Sequence, residues 1–499
     1  MSSIEAYQQL VTRASPVVSD VTKRSFESFP NLYVEDFLMS DTAPGHSRPS
    51  SSRGSGHASD ERTDTVDSTR RIGVLSTHNS KETKAILNAV RALGHDPVWI
   101  RDENFSSWIE DGSVQYSPGV DVLVNRLLVT KSDQPLEDLQ LAGLFAEKVP
   151  VLNPPAAVQS TLHKYRAGVR LAEAGLPVPD AFFGRAPRAF EDWREYLSER
   201  VAHKHTIGTN GRGMSIASSD EPVNPRIDRG QAFVQEFLST DEERPSDLRL
   251  YVVGGRVVGA MRRRAPEGEW RTNVALGGDV EDITDELSER QRRIAVEATD
   301  VLGLDIAGVD LMYSNGEWYV LEINATAGFK GLYEATSISP APHIAALAIE
   351  RADATVAHSR VSELSSTLDD SVPGCKPPLD ERGSVDTVLG YTTRVTVSGN
   401  DAAVSTVAKA DTGARRTSID TELAGQVGAG PMVGTTDVRS TGSKATETRP
   451  LVDIDIRLNS GWRTVTASIT DRSDMQYSVL LGRDVLEAYT LDISRRVEE

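Results

Sequence analysis

The stretch DIAGVDLMYSNGEWYVLEINATAG, residues 305–328, decides how this chain is read. It predicts two strands, 306–313 and 318–323, reversing at Asn315-Gly316, a pair that marks a tight turn. Both strands are apolar, yet the first carries Asp310 and the second Glu322. Asn324 follows two residues after Glu322 and so shares its strand face. Carboxylates inside apolar strands are costly to bury without a partner, and a hard divalent cation such as Mg²⁺ suits such an oxygen set. A satisfied polar pair at a sheet edge is the competing reading. Facing residues on paired strands share a side of the sheet. A plain two-residue turn would therefore put Asp310 and Glu322 on opposite faces. A three-residue loop, 315–317, or a β-bulge would bring them together.

Upstream, residues 72–75, 97–100, 121–124 and 149–152 read as strands, with helical periodicity over 81–93 and 136–148. That alternation predicts a parallel α/β layer. A dinucleotide-binding fold is the rival, but the turn after Leu75 is Ser-Thr-His-Asn-Ser, without Gly-x-Gly-x-x-Gly, which argues against a Rossmann cofactor site. Further on, Lys164 and Lys204 are two of only eleven lysines. Lys204 precedes Gly208, Gly211 and Gly213, whose spacing lets backbone N–H groups approach a phosphate. No Gly-Lys-Ser/Thr closes that loop, so it is not a Walker loop, and a hairpin tip is the competing reading. Residues 232–238 predict a strand ending near Glu236, and 247–261 a hairpin turning at Gly254-Gly255. The basic run after it, with Arg263 and Arg264, suggests a grip on an anionic substrate, against the alternative of a solvated charge run.

Composition sets the outer limits. The length predicts two or three domains. A net charge of −19 argues against nucleic acid or an anionic membrane as the main partner. The lysine-poor, acidic balance suits a high-salt cytoplasm or GC-rich coding. The lone Cys375 excludes an internal disulfide and any multi-cysteine zinc site. No basic-then-apolar leader and no run long enough to span a bilayer is present, so a soluble, cytoplasmic protein is the expectation.

The ordered motifs His163-Lys164, Lys204 to Gly213, Gln235 to Leu238, Asp247 to Arg249, Arg263 to Asn273, Ala307 to Asp310 and Leu321 to Asn324 resemble the ATP-grasp fold, specifically its RimK-type α-L-glutamate ligases. The resemblance covers about residues 71–350. It implies ATP, with Mg²⁺ (or Mn²⁺) as the metal. Lys164 and Lys204 would contact the α- and β-phosphates, and the loop with Gly208, Gly211 and Gly213 would close over them. Glu236, with Phe237 and Leu238, would hold adenine and ribose, and Asp247 would add a nucleotide contact. Arg271 and Asn273 would reach the transferring phosphate, while Asp310, Glu322 and Asn324 would bind the metal. The family commonly follows its last metal ligand with a Ser-Pro-Gly-like turn. Here that turn is Ala325-Thr-Ala-Gly328, which sets the acceptor-side loop apart.

Beyond residue 385 the texture is all-β, with Asp411-Thr412-Gly413 and a later Leu480-Leu481-Gly482. This resembles a retropepsin-like aspartic protease, as in the "ATP-dependent zinc protease" domains that accompany such ligases. All nine histidines precede residue 359, so zinc has no support. Aspartic chemistry needs two carboxylates sharing a proton, so a catalytic Asp411 would have to come from two chains, making a homo-oligomer the expectation.

Together these readings predict an α/β and α+β chain. Residues 1–70 form an extension, linker-like from 40; 71–160 a parallel α/β pre-ATP-grasp domain; 161–350 the ATP-grasp domain; 351–384 a linker; and 385–499 the retropepsin-like domain. The expected function is a carboxylate–amine ligase working through an acyl phosphate, adding glutamate to a protein or peptide acceptor. A small-metabolite acceptor, or nucleotide-dependent binding with an inactive protease-like module, are the rivals.

Overall fold

The computed structural model describes residues 69–497 apart from 78, 102–103, 133, 186–192, 194–198, 208–213, 219–231, 240–243, 273–277, 372, 376–387, 401, 431, 440–445 and 459–460. Strands β1 (Arg71–Leu75), β2 (Asp96–Ile100), β5 (Val122–Asn125) and β6 (Val151–Leu152) make a parallel sheet in the order β2-β1-β5-β6. An antiparallel hairpin, β3 (Ser106–Glu110) and β4 (Ser113–Ser117), interrupts the alternation. It escaped the sequence reading because its residues are mostly exposed and carry little apolar alternation. Helix Lys81–Ala92 starts where the Ser80 side chain accepts from Thr83 N–H, and turns its Ala85, Ile86, Ala89 and Val90 inward.

Two antiparallel sheets follow. The smaller runs β7-β10-β8-β9, with β7 at Ala181–Gly184, β8 at Arg200–His203, β9 at Ser215–Ser218 and β10 at Ala232–Glu236. The larger runs β13-β12-β11-β14-β15, from β11 (Ser246–Val253), β12 (Arg256–Arg264), β13 (Asp279–Asp282), β14 (Ile306–Ser314) and β15 (Glu317–Asn324). Helix Glu289–Leu302, opened by a Ser288/Gln291 capping box, delivers the chain to β14. Leu248, Leu250, Val309 and Leu311 of the larger sheet join one buried cluster with Leu75, Leu123 and Phe145 of the parallel layer. The two layers therefore share a core.

The β14–β15 turn is a two-residue Asn315-Gly316 reversal pairing Ser314 with Glu317, and both turn residues have positive φ (51° and 85°). The three-residue loop is not used. The alternative, a bulge, is: Leu311 pairs with Val320 but Asp310 with Glu322, leaving Leu321 as the extra residue.

The stretch read as a connector holds helix His358–Leu364, and Asn88 Nδ2 donates to the Asp369 and Ser371 carbonyls (3.2 and 3.0 Å). Its Ser- and Asp-rich composition does not reveal that these backbone groups are used by a neighbouring helix.

In the C-terminal part, β16 (Val388–Gly390) pairs in parallel with β24 (Thr490–Asp492), while β17 (Thr392–Ser398), β18 (Ala403–Ala410), β19 (Ser418–Asp420), β20 (Met432–Arg439), β21 (Thr446–Leu458), β22 (Gly461–Thr470) and β23 (Val479–Leu481) run β17-β18-β23-β19-β22-β21-β20. A further β17–β21 pairing closes this sheet into a barrel with its own core of Val395, Val397, Ile454, Ile456 and Val465, among others. The barrel is docked on the parallel layer. Arg101 and Asp455, both 0 % exposed, pair at 3.2 Å, and buried Lys84 donates from Nζ to Asn400 Oδ1 (3.2 Å) and the Gly430 carbonyl (3.3 Å).

Candidate functional site

The Leu321 bulge sets Asp310 opposite Glu322. Asp310 is buried and bound at both oxygens by Arg249, whose Nε and Nη2 each donate at 2.7 Å, with Arg263 Nη2 at 3.1 Å from Oδ2. Burial opposes ionisation of Asp310, but the two guanidinium groups outweigh it and hold the carboxyl below its ordinary range. Arg263 also forks onto Asp247 (2.7 and 2.6 Å), which accepts from Thr272 Oγ1 at 2.6 Å. The result is a buried ladder, Arg249–Asp310–Arg263–Asp247. Glu322 lies 3.4 Å from Lys164 Nζ.

The donor set fits Mg²⁺. Among the described residues no cluster of three or more His, Cys, Asp or Glu forms a protein-only metal cage. Two carboxylates and the Asn324 amide are hard oxygen donors, and Mg²⁺ commonly takes one or two carboxylates and completes its shell with water and substrate phosphate. When bound, it neutralises phosphate charge.

On the nucleotide side, Lys204 is followed into the sheet by the hydrogen bond from its Nζ to Gln235 Oε1. Burial and the nearby Lys164 charge lower its pKa to about 8, partly offset by Glu322. Glu236 closes β10; its N–H donates to the Asp180 carbonyl, and burial plus the Asp180 charge raise its carboxyl pKa. Phe237 N–H donates to the Arg200 carbonyl, and the Arg200 guanidinium lies over its ring at 4.4 Å. Arg271 pairs with Glu269 (2.7 Å), whose carboxyl falls to about 2 because Arg271 donates to it.

One cleft of ≈ 1880 Å³ between the two antiparallel sheets brings together Lys164, Lys204, Glu236, Phe237, Leu238, Asp247, Arg271, Asp310, Glu322 and Asn324. Gly208, Gly211, Gly213 and Asn273 lie outside the described residues. Arg263 and Arg264 do not form one basic patch. They alternate on β12, so Arg263 points to Asp247 and Asp310 while Arg264 pairs with Glu281 on the other face (2.7 Å). Only Arg263 lines the cleft.

Sequence reading missed Arg126, which lines the cleft at 4 % exposure; its Nη2 donates to the Ala327 carbonyl (3.2 Å). Among the described residues its Nε has no hydrogen-bond partner. Burial lowers its pKa, against the raising charges of Glu82 and Tyr251. The available signal was its place just past a parallel strand's C-terminal end, where open α/β sheets bind ligands.

Asp411 sits outside this cleft, directly after β18. Its Oδ1 accepts from Gly413 N–H (2.9 Å) and Ala414 N–H (3.3 Å). β18 runs parallel to β23, pairing Ala410 with Leu481, so Asp-Thr-Gly and Leu-Leu-Gly lie side by side. A Cβ on Gly482 would come within 2.4 Å of the Arg416 backbone, which is why glycine stands there. Among the described residues, no helix is long and apolar enough to cross a membrane.

Residues 161–348 match the RimK-like ATP-grasp domain, and residues 420–497 the retropepsin-like aspartic endopeptidase RimB, a match that starts after Asp411. The chain is 34% identical over 215 residues to a probable α-L-glutamate ligase of Legionella pneumophila (strain Corby), spanning 42% of this chain and 68% of that protein. It is 31% identical over 287 residues to probable α-L-glutamate ligase 2 of Hahella chejuensis (strain KCTC 2396), spanning 54% and 91%. Among solved structures it is similar to the ATP-grasp ligase PsnB complexed with precursor peptide PsnA2 and AMPPNP, at 20% identity and a TM-score of 0.45, over 56% of this chain and 97% of that one. The chain thus belongs to the RimK-like ATP-grasp family and is a carbon–nitrogen ligase that uses ATP and Mg²⁺, with a retropepsin-like domain following the ligase.

Proposed function

We propose that this ligase joins glutamate to a protein or peptide acceptor. The observation that carries the reading is the convergence of the described candidate residues, Asp411 and Arg264 aside, on one cleft between the two antiparallel sheets. Lys164 and Lys204 hold the α- and β-phosphates, Glu236 with Phe237 and Leu238 the adenosine, and Asp247 adds a contact to the nucleotide. Arg271, with Asn273 as the family resemblance implies, acts on the transferring phosphate, and Asp310, Glu322 and Asn324 hold Mg²⁺. A substrate carboxylate oxygen attacks the γ-phosphorus and ADP leaves. An amine then attacks the acyl carbon and inorganic phosphate leaves. Positioning and charge neutralisation supply most of what such a transfer requires. Glutamate is favoured because the chain's relatives are called α-L-glutamate ligases. The cleft is larger than sites for single small ligands, which measure about 300–1,000 Å³, as nucleotide, amino acid and acceptor together require.

Incubation with ATP, Mg²⁺ and glutamate, with and without glutamate-ended peptides, tests this. Phosphate release with a glutamyl mass increment on the peptide is the expected result. Phosphate release with no such increment points to a small-molecule acceptor, and no release with any amine–carboxylate pair points to nucleotide binding alone. The retropepsin-like domain would trim or select the acceptor, with Asp411 contributed by two chains. Asp411→Ala then abolishes peptide cleavage, and unchanged cleavage removes Asp411 from that role.

A further inference from the structure

The barrel presents an unusual face to the ligase. Ser405 pairs with Thr396, Thr396 with Arg457, and Arg457 with Trp462, so these four residues form one row across β18, β17, β21 and β22. Directly paired residues share a sheet face. Val395 and Val397, which alternate with Thr396, fill the barrel core, so the row points outward. All four residues line the ligase cleft. The next row, Ala403–Ser398–Asp455–Thr464, is built the same way and also faces outward. Ala403 and Ser398 line the cleft too, while Asp455 accepts from Thr464 Oγ1 (2.7 Å) and meets Arg101 of the parallel layer. An aspartate on the outside of a barrel is 0 % exposed only because the ligase covers it.

We propose that this outer barrel face is the acceptor-side wall of the ligase cleft, and that it binds the part of a carboxylate-bearing peptide that extends beyond the reacting residue. The inference rests on the ligase reading above and adds where the acceptor's length is accommodated. The row supplies hydroxyls for peptide N–H and C=O groups, and a guanidinium beside an indole (5.9 Å from Arg457 to the Trp462 ring), the residue types that dominate binding hot spots. The cleft's size leaves room for a chain beyond nucleotide and amino acid.

The test uses full-length protein with free glutamate and triglutamate as probes. Ala403→Trp fills the wall and Trp462→Ala strips it. Asp437→Ala, an exposed barrel position outside the cleft, is the control. Both wall variants are expected to raise KM for triglutamate about tenfold while KM for ATP and free glutamate moves less than about twofold. Equal effects on both probes, or none, overturn the proposal. Equilibrium binding of fluorescent triglutamate in the presence of AMPPNP separates it from the ligase reading. Binding that Ala403→Trp weakens, in a protein that ligates nothing, sinks the ligase reading and keeps the wall. A wild-type protein that does not bind triglutamate sinks the wall itself.

Discussion

Lys204 is buried beside Lys164, and its pKa of about 8 places its titration within reach of working conditions. Its folded pKa lies below its unfolded value, so the folded state binds fewer protons between pH 8 and the ordinary lysine range. Stability therefore rises with pH across that window, as burial of the charged ammonium is relieved. ATP binding has the opposite preference, because a phosphate contact wants the ammonium charged. Nucleotide affinity should fall as pH rises past 8, and binding near pH 8 should take up a proton. Calorimetry in two buffers of different ionisation enthalpy measures that uptake, and Lys204→Arg should erase it, since arginine stays protonated. Lys204 was legible in the sequence because lysines are scarce here and it precedes a glycine-rich loop. Its partner Gln235, and Arg126 beyond it, were not, because nothing in local pattern says which polar side chain meets a cation from another element.

At the level of single elements, the β14–β15 hairpin shows how far pattern reaches. The two strands were readable as apolar runs and the Asn315-Gly316 turn as a tight-reversal pair, while the two-residue strand period demanded an odd residue between the carboxylates. Where the odd residue sits was not, because a loop and a bulge restore parity equally well. The bulge at Leu321 keeps a tight turn and moves the irregularity next to the carboxylates. Deleting Leu321 would place Glu322 directly after Val320 and so still opposite Asp310, in a ladder without the bulge. The expected outcome is retained circular dichroism with Mg²⁺-dependent turnover within about tenfold of wild type, a loss below about 1.4 kcal/mol in transition-state stabilisation, whereas Glu322→Ala should lower that turnover by about a hundredfold or more. A deletion as inactive as Glu322→Ala would break the geometric argument. The arginines Arg263 and Arg264 show the opposite limit: a basic run reads as a substrate grip, but strand alternation sends Arg263 inward to two aspartates and Arg264 to Glu281 on the other face.

For the whole molecule, docking of the barrel turns on the buried Arg101–Asp455 pair. Removing one member leaves an uncompensated buried charge, at a cost of about 3–5 kcal/mol. Arg101→Met should lower the denaturation midpoint accordingly, and Arg101→Met with Asp455→Leu should recover most of it, as measured by urea titration of the full chain. Neither residue announces this in the sequence, since each sits more than three hundred positions from the other. The ladder Arg249–Asp310–Arg263–Asp247 has a further consequence at this scale. Two guanidinium groups already cancel two carboxylates before any ligand arrives. A divalent cation entering alone would add charge the site has no means to balance, whereas the polyphosphate brings that balance with it. Ion and nucleotide should therefore arrive as one neutralising unit: Mg²⁺ titrated alone should bind weakly, and the same titration with AMPPNP present should saturate at far lower concentration.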